Sequence, residues 1–135
     1  MPITCERVEQ LMVFLENRPG VLADLCAHFS DRDINIRAIT TVEAGEAGVV
    51  RLVVDKPDEA KKLLSEFNVT YTRSECLVLE MPNYPGGFAQ IARVMAYAGI
   101  NIEYIYATTT PGADTALGIF GVSDMERVLT LDWEI

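Results

Sequence analysis

The chain has 135 residues, half of them hydrophobic and 23% charged, enough apolar surface to bury a core and too much for a disordered segment. Eleven basic against twenty acidic residues give a net charge of −9, with −3 on residues 1–73 and −6 on the remainder, so neither half offers the basic face that nucleic acid requires. No apolar run approaches the roughly 18 residues of a membrane span, and the acidic, short-apolar start lacks the shape of a signal peptide.

Residues 9–16 are apolar in their interior and strand-compatible, which predicts a first strand. Pro19 stands where a helix can begin. Leu22, Leu25, Cys26 and Phe29 then follow at helical spacing, predicting an amphipathic helix over 19–32. Strands are predicted at 34–42 and 49–55, joined by a glycine-containing turn. Pro57 and Asp58 open a second helix whose face is Ala60, Leu63, Leu64 and Phe67, and 69–73 predicts a short fourth strand.

The same order then recurs. A strand is predicted at 75–81, a helix at 86–98, and strands at 101–108 and 115–122. Ser123 and Glu126 fit a capping box opening a last, short helix. Leu131, Trp133 and Ile135 alternate with acids, the period of a strand, and predict a stub that completes the second set.

The recurrence is written into the residues themselves. Asn17-Arg18-Pro19-Gly20-Val21-Leu22 is echoed by Asn83-Tyr84-Pro85-Gly86-Gly87-Phe88, and Asn35-Ile36 by Asn101-Ile102, both at an offset of 66. Two copies, each with the second Asn 18 residues after the first, indicate duplication of a unit of about 65 residues. The expected class is α+β: two tandem ferredoxin-like βαββαβ units, each an antiparallel sheet with both helices on one face. The domains are then 5–73 and 74–135, the second with a short or incomplete last strand. Met12 and Phe14 oppose Leu11, Val13 and Leu15 in the first strand. The second sheet face is therefore also apolar, and coverage by the other repeat or another subunit is expected.

At a strand-to-helix turn the first helical amides have no internal partner and carry partial positive charge, so they suit a carboxylate. Glycine admits a ligand close to the backbone, and an Asn side chain offers both an acceptor and donors. A small zwitterion suits such a turn better than a nucleotide, because no glycine-rich phosphate loop accompanies it. Asn, Pro and Gly are equally turn formers, and Asn17 capping the helix that Pro19 starts is a purely structural alternative.

These motifs resemble those of the ACT domain, a small ligand-binding module of amino-acid-regulated enzymes, and the first copy is similar to the ACT domain of phosphoglycerate dehydrogenase. The resemblance spans nearly the whole chain. It implies a non-catalytic regulatory protein that binds a free amino acid at domain interfaces, forms a homodimer and acts on an enzyme or regulator of amino-acid metabolism. By matching position it implies ligand contacts from Asn17, Arg18, Pro19, Gly20, Val21, Leu22, Asn35 and Ile36. In the second copy the matching residues are Asn83, Tyr84, Pro85, Gly86, Gly87, Phe88, Asn101 and Ile102. Serine-binding relatives carry a His two residues before the motif Asn. Here Leu15 and Met81 stand there, which suits a larger or more apolar amino acid.

Other chemistry finds little footing. His28 is the single histidine and is expected at the surface. Cys5, Cys26 and Cys76 are odd in number and lack a CxxC, so no disulfide, metal or cofactor is expected, and a reducing cytoplasm is. Tyr104 and Tyr106 are expected to pack, with a pocket-lining role as the alternative. Two other readings remain open: a dimerisation scaffold that binds nothing, and a small ferredoxin-like enzyme for which Arg18 is the sole phosphate-cradling candidate.

Overall fold

In the computed structural model the described residues are 3–44 and 47–133. Six strands and four helices follow in the order β1 (Thr4–Glu16), α1 (Val21–Asp31), β2 (Ile36–Ala44), β3 (Ala47–Val54), α2 (Pro57–Glu66), β4 (Tyr71–Pro82), α3 (Gly87–Tyr97), β5 (Ile102–Thr108), β6 (Thr115–Val122) and α4 (Met125–Val128). The chain divides into two compact units. One is Glu9–Ser74, and the other is the chain from Glu75 onward together with the residues before Glu9.

In the Glu9–Ser74 unit the strand order is β2-β3-β1-β4, all antiparallel where paired, with Leu11 opposite Leu52 and Val13 opposite Val50. Leu11, Val13, Val50, Leu52 and Val54 bury one sheet face against Leu25 and Phe29 of α1 and Ala60, Leu63 and Leu64 of α2. Both helices therefore lie on one face, as the ferredoxin-like reading expects. Pro57 sits in the first turn of α2 with Asp58 and Glu59, where a missing N–H costs nothing and negative charge meets the positive end of the helix dipole. Phe67 departs from the sequence reading. It is the residue that closes α2, and it lies 46% exposed rather than in the core.

The other unit has the order β1-β4-β6-β5. Its core joins Leu77, Leu79, Met81 and Phe120 to Ile91 and Met95 of α3, Val128 of α4 and Trp133. The predicted stub at 131–135 is corrected here. Leu131 to Trp133 form no strand, Trp133 being drawn instead into the core by its apolar ring, and Glu134 and Ile135 lie outside the described residues. The fourth strand of this unit is the start of β1, whose Ile3 and Cys5 pack into the same core.

An ion pair shows the equivalence. Glu9 accepts from Nε of Arg73 at 2.9 Å, and Glu75, 66 positions later, accepts from Nη2 of Arg7 at 2.8 Å. Thr4–Val8 thus does for the second unit what Tyr71–Ser74 does for the first. The duplication is closed by wrapping round to the beginning of the chain. For the same reason the strands predicted separately at 69–73 and 75–81 are one continuous strand, β4. The boundaries 5–73 and 74–135 therefore miss the first strand's division between units, because a strand predicted to begin at residue 9 begins at Thr4.

The capping box is also replaced. Asp124 caps α4, accepting from the amide of Arg127 at 3.0 Å, while the Ser123 hydroxyl accepts from the amide of Asn101 at 2.8 Å. The Tyr104 ring lies over Gly121 of the neighbouring strand so closely that an added Cβ would sit 2.0 Å from it, which is the packing role expected of that residue. Among the described residues no helix is long and apolar enough to cross a membrane.

Candidate functional site

Both strand-to-helix turns are built alike. Gly20 and Gly86 are the residues flanking the helix starts, each at φ +91°, a left-handed conformation that only glycine adopts without strain. Neither helix start receives a side-chain cap. This sets aside Asn17 as the cap of α1: the helix begins at Val21, two residues after Pro19, and Asn17 lies too far upstream. Pro19 and Pro85 shape the approach of the chain and line neither turn cavity.

Beside the first turn lies a cavity of about 290 Å3 lined by Leu15, Glu16, Asn17, Arg18, Leu22, Thr41, Val42, Gly48 and Val50. Beside the second lies one of about 270 Å3 lined by Met81, Pro82, Asn83, Tyr84, Phe88, Ala107, Thr108, Thr109 and Ala116. The two are the same cavity made twice. Leu11 pairs with Leu52 and Leu77 with Phe120, so the offset of 66 becomes 68 beyond the hairpin, whose turn is two residues longer in the second unit. With that shift, eight of the nine positions lining the first cavity have their counterparts lining the second.

Thr41, Val42, Gly48 and Val50, with Ala107, Thr108, Thr109 and Ala116, were not singled out in the sequence. They come from the far ends of the β2–β3 and β5–β6 hairpins. The repeat offset carries one set onto the other once the register is known, but does not by itself bring the hairpin to the turn.

Chemically the two cavities differ. In the first, Nε of Arg18 donates to Glu16 at 2.7 Å, and both side chains are largely exposed. In the second, Pro82 and Tyr84 take these places, and the Tyr84 hydroxyl donates to Gln90 at 2.5 Å. The Asn83 amide side chain donates to the carbonyl of Ala113 at 2.7 Å and its backbone N–H to that of Asp114 at 3.0 Å, so this Asn ties the turn to the hairpin. Val21 opens α1, whereas its counterpart Gly87 is buried against the carbonyl of Pro82, where a Cβ would lie 2.5 Å from the oxygen. Phe88 stacks on Phe120 at 6.3 Å between centroids.

Asn35 and Asn101 are not brought to the turn cavities of their units. Asn35 donates its N–H to the Asp55 carboxylate at 2.9 Å and accepts from the Asp55 amide at 3.1 Å; Asn101 makes the same exchange with Ser123 at 2.8 and 3.0 Å. These exchanges pin the start of β2 to the end of β3, and of β5 to the end of β6. Asn35 and Ile36 line a separate, shallow cavity with Cys26, Ser30 and Asp33. Ile102 packs against the second core. The helix that separates Asn17 from Asn35 in sequence separates them in space.

A further cavity, about 450 Å3, flanks the first turn between α1 and the connection from α2 to β4. Its wall includes the His28 ring, stacked on Phe67 with centroids 3.9 Å apart. Burial pushes the Cys5 and Cys26 thiols up, so they stay protonated and poorly nucleophilic near neutral pH. Among the described residues no group of three or more His, Cys, Asp or Glu is placed to hold a metal ion.

Comparison with known proteins agrees with this architecture. A crystal structure of a protein from Bacteroides thetaiotaomicron is similar with a TM-score of 0.86 and 26% identity, covering 93% of this chain and 85% of that one. The regulatory subunit of aspartate kinase from Thermus thermophilus is similar in fold, with a TM-score of 0.67 at 16% identity over 89% of this chain and 87% of that one. The corresponding subunit from Thermus flavus gives 0.59 at 15%, over 89% and 86%. No curated protein matches the sequence. Residues 6–130 match the ACT domain pair, and with the two like-built units the chain belongs to the ACT family.

Proposed function

We propose that this ACT domain pair is a non-catalytic sensor that binds a free amino acid and, through that binding, regulates a partner protein or its own assembly. The observation that carries the reading is the duplicated cavity at the strand-to-helix turn. The same positions line it in both units although most side chains differ, and it lies beside helix starts that no side chain caps. A fold needs its core repeated; it does not need an open cavity repeated. The first copy, with Asn17, Arg18 and Glu16 around apolar walls, has the acceptors and donors that a zwitterion requires.

The regulatory mechanism is linkage: a ligand preferring one arrangement of the protein shifts the population toward it, with a coupling of typically about 1–3 kcal/mol. The readout is a homodimer or a cytoplasmic enzyme of amino-acid metabolism. The fold-level likeness to regulatory subunits of aspartate kinase supports that kind of partner.

The test is a thermal-shift screen of the twenty amino acids at about 1 mM, repeated on hits with Asn17→Ala and Asn83→Ala. A ligand at about 100 times its Kd stabilises by about 2.7 kcal/mol, a readily measured rise in Tm for a chain of this size. Loss of a hit in one variant locates the binding unit. Absence of any shift favours the scaffold reading.

A further inference from the structure

We propose that the first unit selects an amino acid with an aromatic side chain, holding the head group at Glu16 and Arg18 and the ring in the 450 Å3 cavity between α1 and the α2–β4 connection. The proposal rests on the amino-acid-sensing reading above and adds the side-chain class and the place where that side chain lies.

Three residues, Leu15, Glu16 and Arg18, line both the turn cavity and the larger cavity of the first unit, so a head group bound there can direct its side chain to either. The Glu16 and Arg18 side chains are 76% and 64% exposed, and a pair so open to water contributes little to stability. A zwitterion replaces it at little cost: the α-carboxylate takes the Arg18 guanidinium, the α-ammonium takes Glu16, and charge is conserved on both sides. Asp24, on the first turn of α1, also lines the larger cavity and adds a second carboxylate to its wall.

The larger cavity is walled by Phe14, Val21, Leu25, Val69 and the stacked rings of His28 and Phe67. Phe14 and Phe67 are 38% and 46% exposed, apolar surface that the core does not use. A third ring against this pair gains both burial and stacking. The second unit supplies the contrast, since Pro82, Tyr84, Gln90 and Val94 stand at the positions of Glu16, Arg18, Asp24 and His28. The charged groups that would hold the ligand are missing there, and the remaining polar side chains, Asn83, Tyr84 and Gln90, bond within the unit.

Calorimetric titration of the full chain with L-phenylalanine, L-tyrosine and L-tryptophan, against L-serine and L-alanine, tests this. The aromatic amino acids are expected to bind at least tenfold more tightly than the small ones. Arg18→Gln should weaken them tenfold or more. Phe67→Leu and His28→Val, both at sites partly open to solvent, should weaken the aromatic ligands selectively, and Tyr97→Phe, at an exposed position of the second unit that lines neither turn cavity, should change nothing. 3-Phenylpropionate and phenethylamine, each lacking one head-group charge, should both bind more weakly than phenylalanine. Small amino acids binding best, with affinity lost on Leu22→Asn and untouched by Phe67→Leu, would overturn the aromatic assignment and leave the sensor reading standing. Binding lost with Asn83→Ala and kept in Arg18→Gln would overturn it too, moving the site to the second unit. Binding by none of the twenty amino acids overturns the sensor reading itself.

Discussion

The two turn cavities share a backbone and differ in what they offer a ligand. The first ends its strand in Glu16 and carries Arg18, an exposed ion pair beside a helix that opens with Val21; the second ends in Pro82 and carries Tyr84, beside a helix that opens with the buried Gly87. In the second, the Asn side chain is committed to the hairpin and the Tyr hydroxyl to the following helix. The same geometry is therefore spent differently: one copy leaves charged groups at the surface, the other turns its polar groups inward on its own chain. Duplication preserved the scaffold, and the side chains at the turn decide whether polar groups stay exposed or are tied to the chain.

The comparison can be broken most forcefully at the helix start. Gly87→Val installs in the second unit the residue that the first carries. Its Cβ would meet the Pro82 carbonyl oxygen at 2.5 Å, and the expected loss is about 2–3 kcal/mol. Urea unfolding of the full chain measures it. A loss below about 0.5 kcal/mol, the scale of a neutral surface change, would mean that the two turns are interchangeable.

Next in size is the ion pair that fastens the fourth strand of each unit. Glu9 is held by Lys61 at 2.7 Å and by Arg73 at 2.9 Å, with its side chain 19% exposed, and Lys61 chiefly, then Arg73, holds its carboxyl below the usual carboxylate range. In the second unit the arrangement is inverted, one cation, Arg7, being shared by the carboxylates of Glu75 and Glu126. A carboxyl whose folded pKa lies below its unfolded value of about 4.3 stabilises fully above that pH, and the contribution disappears as pH falls through the folded value. Glu9→Gln is expected to cost about 2 kcal/mol at pH 7 and to flatten the acid limb of the stability profile. An acid limb identical to that of the parent chain would remove Glu9 from this role.

The smallest effect sharpens the likeness. Gly20→Ala and Gly86→Ala place a Cβ where nothing lies within 4 Å, so only the positive φ opposes them, by about 1–2 kcal/mol each. Equal losses are expected. A difference of more than about 1 kcal/mol between them would show that the turns are less alike in solution than their dihedrals.

Much of this was legible in the residues because it is local or periodic. The helical spacing of Leu22, Leu25 and Phe29, the Pro57 start and the apolar, strand-compatible run of β1 each report a nearby constraint, and the offset of 66 reports the duplication without any knowledge of contacts. The turn motif located one wall of each cavity. The opposite wall, Thr41 and Val42 or Ala107 and Thr108, was not visible, because hairpin register depends on a turn whose length differs by two residues between copies. His28 and Phe67 escaped for a related reason: on a helical wheel Phe67 belongs to the buried face, yet the helix closes there and releases it to stack on another helix.

The sequence by itself determined most of the element order, the duplication and the glycine-dependent turns, since each follows from side-chain chemistry and spacing along the chain. Only the tertiary structure decided where the last strand comes from and which Asn residues meet a turn cavity. Thr4–Val8 completes the second unit because an unpaired sheet edge and an open core accept whichever apolar, ion-paired segment reaches them, and the segment that reaches them is the beginning of the chain rather than its end. Asn35 and Asn101 share their motif with Asn17 and Asn83. Yet α1 and α3 carry them to the far end of each unit, where backbone pairing with Asp55 and Ser123 gives them a different task.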